Sequence, residues 1–213
     1  MNRMMIRCVA AGVLAAAGAF APSTAGAQAP GQPPPDWPCV QRFVPSISAF
    51  QIWPGEPLHD TGNQWRENRA VSNLSRELAA RRVSVDQAKT LIGDFAAARS
   101  EATRSQELEL LFQGMLASIN RERNEIISGI GRFTRGQRAL GDEIAKAGAD
   151  MRALPSEDVE GRQQLDEQRA WGVRLFDERE SVMGYLCEQP VILEQRAFAL
   201  ARAISAAMAP AQN

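Results

Sequence analysis

The feature that most constrains this chain is a long periodic stretch free of proline. Apolar residues recur as Leu108, Phe112, Met115, Ile119, Ile126, Ile130, Phe133, Leu140, Ile144, Ala147, Met151 and Leu154. With Glu122 and Gln137 admitted as polar members, the steps alternate between three and four residues, with one four-four stutter, at Glu122–Ile126–Ile130. That is the heptad seam of a helix packed along its length. A helix from about Glu107 to Ala153 would run about 70 Å at 1.5 Å per residue, so it needs partners along that length. Gly129, Gly131, Gly136, Gly141 and Gly148 interrupt it. Each costs a helix about 1 kcal/mol relative to Ala. Either they admit a second helix closely, or the stretch is two or three shorter helices; continuity is the expectation.

The partner is the next stretch. Leu154-Pro155-Ser156 is a break, followed by Glu157, Asp158 and Glu160 at the positive end of a new helix. It is expected from about Glu157 to Leu186 through Val159, Leu165, Gly172, Leu175 and Val182. Pro190 is expected to begin or kink a last helix, Val191 to about Met208. Upstream, Trp65 to Arg82 reads as a helix with Val71, Leu74 and Leu78 on one side. Ser84 and Gln87 read as a capping box opening another, to about Arg99. Folding back at Pro155 makes a hairpin. Reflection about that proline sets Arg121, Arg123, Arg132, Arg135 and Arg138 beside Asp177, Glu178, Glu180 and Glu188. Cross-helix pairing is expected there, at about 0–1 kcal/mol per exposed pair.

Proline marks off the N-terminal region. Eight of the 12 prolines fall between Pro30 and Pro57, which excludes regular helix there. Residues 1–27 read as a Sec-type signal peptide: Arg3 and Arg7, a 14-residue apolar run from Cys8 to Ala21, then Ala25-Gly26-Ala27 as the cleavage site, with Ala29 the less attractive alternative. The run is too short for a bilayer core of about 30 Å. Residues 28–36 read as a flexible Pro-rich leader. Residues 37–60 hold Trp37, Val40, Phe43, Val44, Ile47, Phe50, Ile52 and Trp53. That is too apolar for a solvated linker, and reads as an extended strap on a helical domain over 61–210. Signal removal leaves Cys39 and Cys187, 148 residues apart. In an exported chain these form one disulfide, worth about 5 kcal/mol on chain entropy alone. The fold class is therefore all-α: a long antiparallel, coiled-coil-like helical hairpin with shorter packed helices and an extended Pro-rich strap.

The chemistry-bearing residues are few. His59 is the single imidazole, in a Glu56-x-x-His59-Asp60 string with no second cluster to complete a metal shell. There is no Gly-x-Ser-x-Gly and no phosphate-cradling P-loop. The only lysines, Lys89 and Lys146, lie in helical contexts. No catalytic residue, cofactor or metal is expected. The formal charge of −1 gives no electrostatic reason to bind nucleic acid. Trp37, Trp53, His59 and Trp65 are the candidate lining of a ligand or partner groove, with glue between strap and helices as the plainer use.

The expectation is an exported, periplasmic, non-enzymatic interaction or scaffold protein of the envelope. It would dock a protein partner or form a homo-oligomer through its long helices, with no integral membrane segment once the signal is cleaved. The alternatives are a small-ligand or metal-sensing helical bundle and a periplasmic holdase.

Overall fold

A computed structural model describes residues 33–55, 57–59 and 61–208. The chain divides into two units, Met1–Pro30 and Gly31–Asn213, and the described residues belong to the second. The signal segment with its cleavage site, most of the leader, Glu56 and Asp60 lie outside the described residues.

All regular structure among the described residues is helical. The elements are α1 (Ala49–Ile52), a 3-10 turn (Gln64–Arg66), α2 (Arg69–Ala79), α3 (Val85–Ala97), α4 (Glu101–Ala153), α5 (Val159–Ser181) and α6 (Met183–Met208). The long helix is continuous through all five glycines. It begins at Glu101, with Ser100 at its N-cap position, and its 53 residues span about 80 Å. α3 opens as its sequence says: Ser84 Oγ accepts from the Gln87 N–H, and the Gln87 side chain accepts from the Ser84 N–H. α2 is shorter than its periodicity. Asn68 caps it by accepting from the Ala70 and Val71 N–H groups, and Trp65 falls in the preceding 3-10 turn.

α4 belongs to two packings. Its first half, with α2, α3 and α6, encloses a core of Val71, Leu78, Ile92, Leu108, Leu111, Phe112, Met115, Ile119, Leu193, Leu200 and Ile204. Its second half packs against α5 as a two-helix arm and carries the N-terminal segment on its other side. Gly114 is where the bundle closes tightest: a Cβ there would meet Ser75 Oγ at 2.4 Å and the Trp65 ring at 2.9 Å.

The strap is not extended throughout, since α1 (Ala49–Ile52) is one helical turn within it, and two further expectations need correction. The break before the last helix falls at Val182, not Pro190, which sits inside α6. Its fixed φ suits a helix, but it has no N–H for the Leu186 carbonyl and its ring crowds that carbonyl, a cost of about 3 kcal/mol that its burial must offset. It is buried one turn beyond Cys187, whose disulfide to Cys39 holds that turn. Second, among the described residues no ion pair joins α4 to α5. Arg135 lies about 180° around α4 from Ile144, which faces α5, and Arg138 about 120°. Those arginines turn to the strap instead.

Candidate functional site

The strap is held by a ladder of polar side chains along α4. Glu109 accepts from the His59 backbone N–H and lies 3.1 Å from His59 Nδ1. Gln113 donates to the His59 carbonyl and accepts from the Thr61 hydroxyl. Asn120 accepts from the Ile47 N–H at 2.8 Å and donates to the Ile47 carbonyl at 2.9 Å. Arg123 donates to the Val44 carbonyl. Arg135 and Arg138 hold the Asp36 carboxylate at 2.6 and 2.7 Å, and Arg138 also donates to the Pro35 carbonyl. An irregular segment leaves its backbone groups unpaired, and α4 supplies the missing partners. Between these clamps Ile47 and Ile52 are buried, and Trp53 stacks on Phe112 at 4.5 Å. The Arg135 hydrogen bond, with the charges of Arg135 and Arg138, holds the Asp36 carboxyl below its usual range despite partial desolvation.

Each groove residue named from sequence takes part in this attachment or in the bundle. Trp37 meets Phe43 edge-on at 5.2 Å, donates to the Gln41 carbonyl, and lines a hollow of about 360 Å³ with Ile127 and Arg132. Trp53 lines a different hollow, of about 350 Å³, with Phe50 and Leu58. Trp65 is buried against Gly114. His59 turns its ring outward, with Nδ1 on Glu109. Among the described residues no group of three or more His, Cys, Asp or Glu is placed to hold a metal ion. Sequence reading missed Glu109, Gln113, Asn120 and Arg123. The available signal was the recurrence of polar residues on one side of a heptad helix already paired along its other face.

At the bundle–arm junction two arginines are buried. Arg196 Nε donates to the Leu78 carbonyl at 2.8 Å, closing the end of α2. Burial lowers the pKa of Arg123 and of Arg196; Glu194 opposes this at Arg123 and Glu122 at Arg196. Glu122, one polar member of the seam, pairs with Arg81 at 3.0 Å. The other, Gln137, donates to the Phe176 carbonyl at 3.2 Å.

The arm is the least finished part of the structure. α5 buries one residue, Gly172. On α4 beyond Ile130 the buried residues are Thr134, Gln137, Ala147 and Gly148. The large seam residues Phe133, Leu140, Ile144, Met151, Leu165, Leu175 and Phe176 stay partly open. One flank is closed: Phe176 lies over Gly141, Arg169 over Gly148, and Arg162 donates to the Leu154 and Pro155 carbonyls. The other flank is a groove of about 230 Å³ with Leu140, Ile144, Ala147, Trp171 and Leu175 on its walls and Glu143, Gln168 and the edge of Arg169 among them. Trp171 and Tyr185 are 63% and 65% exposed beside it, and Val182 is 43% exposed. No described helix is long and apolar enough to cross a membrane.

Compared with known protein families, curated proteins and solved structures, the chain matches none. What can be said of function comes from the arm and its anchorage.

Proposed function

We propose that this chain is an exported, non-enzymatic helical interaction protein of the cell envelope, with the α4–α5 arm as its docking surface. One observation carries the reading: the arm's large apolar seam residues are half-open on one flank. Two helices holding each other by small and polar residues leave apolar area that a further helix would bury, at roughly 25 cal/mol per Å². The Cys39–Cys187 bond suits an oxidising compartment, and the N-terminal signal pattern suits the periplasm. The strap ties the arm's root to the bundle through Asp36 and the disulfide, so the arm is presented on a braced base.

The test is site-specific photo-crosslinking in cells. A photoreactive residue at Trp171, Leu175 or Val182 is expected to capture another polypeptide, and one at Lys89 or Asp86 on the bundle is not. Capture equal at both places, or at neither, removes the reading.

A second reading is favoured by the apolar hollow of Ala49, Phe50, Trp53, Gly55, Pro57 and Leu58. It would take a small apolar ligand, and thermal shifts against such a panel test it.

A further inference from the structure

We infer that the open flank of the arm is covered by the arm of a second copy of this chain, the two arms running side by side about a two-fold axis parallel to their length. This rests on the interaction reading above and names the occupant. The first argument is pattern. Along the open flank α5 and α6 carry Trp171, Leu175, Glu178, Val182 and Tyr185, at steps of four, three, four and three. That is a second heptad stripe, flanking the one through Leu165 and Gly172 that faces α4 and sharing Leu175 and Val182 with it. α4 offers small residues on the same flank, Gly136, Ala139 and Ala147. A face with bulk on one helix and hollows on the other is complementary to itself when turned about a two-fold.

The second argument is charge. Contacts within the chain fix the level of one helix against the other: Gly141 against Phe176, Ile144 against Gly172, and Gly148 against Arg169. At those levels Glu143 stands opposite Arg174, while Lys146 falls level with Ala170 and Trp171. Glu143 and Arg174 are both exposed, Glu143 at the wall of the groove, and the pair is not formed within the chain. Lys146 is held by Asp150 on its own helix, and Arg174 lies over the Trp171 ring. A two-fold axis along the arm sets α5 of the second copy beside α4 with the level kept. Glu143 then meets Arg174 of the second copy. An axis across the arm would lose this match.

The experiment is sedimentation equilibrium of the mature, oxidised chain. A mass of two chains is expected. Trp171→Glu is expected to raise the dissociation constant at least about thirty-fold, the loss of one hot-spot residue, with helicity by circular dichroism unchanged. Glu143→Arg and Arg174→Glu should each weaken pairing, and the two together should restore it. A monomer at all concentrations overturns the inference, as does a dimer indifferent to Trp171→Glu or a double reversal that restores nothing. A monomer whose Trp171 position still crosslinks to a different polypeptide overturns the self-pairing and leaves the interaction reading standing.

Discussion

Gly172 of α5 lies so close to Ile144 of α4 that a Cβ on the glycine would sit 2.8 Å from Ile144 Cγ1. The closest approach of the arm's two helices therefore depends on a missing side chain. Gly172→Leu would drive them apart, at a cost of about 1–3 kcal/mol from overpacking. Gly93, exposed on α3 with nothing within 4 Å of its would-be Cβ, is the control. Gly93→Ala is expected to gain about 1 kcal/mol. Urea denaturation followed by circular dichroism should give the two opposite signs.

Reducing Cys39–Cys187 releases the anchor between the strap and α6. Stability is expected to fall by about 2–5 kcal/mol. The paired Cys39→Ser and Cys187→Ser variant should match the reduced wild type. Mass spectrometry under reducing and non-reducing conditions checks the bond, and urea midpoints check the cost.

Arg196→Ala removes the buried donor to the Leu78 carbonyl at the end of α2. An orphaned carbonyl and a lost charged hydrogen bond together are expected to cost about 2–3 kcal/mol. A change below about 0.5 kcal/mol, the level of an ordinary surface substitution, would mean that the carbonyl finds another partner.

The Asp36 clamp has a definite pH sign. Its carboxyl is held below the usual range in the folded chain, chiefly by the Arg135 hydrogen bond. The folded state therefore favours the ionised form. Its contribution is fully present above the unfolded carboxyl pKa and is lost as pH falls through the lower folded value. A carboxyl NMR titration should place the Asp36 midpoint below that of free aspartate. Arg135→Gln should move it back up, and added salt should narrow the gap.

The heptad stretch gave away the long helix because its apolar spacing survives five glycines, and Gly172 was visible as a seam member of the helix that packs on it. The Ser84–Gln87 box placed the start of α3, and the two cysteines placed the bridge. Pairing of the arginines was not legible. Reflection about Pro155 gives the level of Arg135 and Arg138 along the hairpin, but not that the angle around α4 turns them from α5 toward Asp36. The misplaced start of the last helix has the same root. A proline lowers helix propensity locally, while burial and the neighbouring Cys187 bridge are tertiary facts. The strap ladder was hidden because Glu109, Gln113, Asn120 and Arg123 look like an ordinary solvated face until an irregular segment is laid on them.

The most direct test of the central claim is hydroxyl-radical footprinting of the oxidised chain in the cells that express it, with Trp65 as the internal standard. Trp65 is 4% exposed inside the bundle, whereas Trp171 is 63% exposed on a single chain. If another polypeptide covers the arm, Trp171 will oxidise about as slowly as Trp65. Oxidation of Trp171 several times faster than Trp65 would show the arm bare and contradict the account.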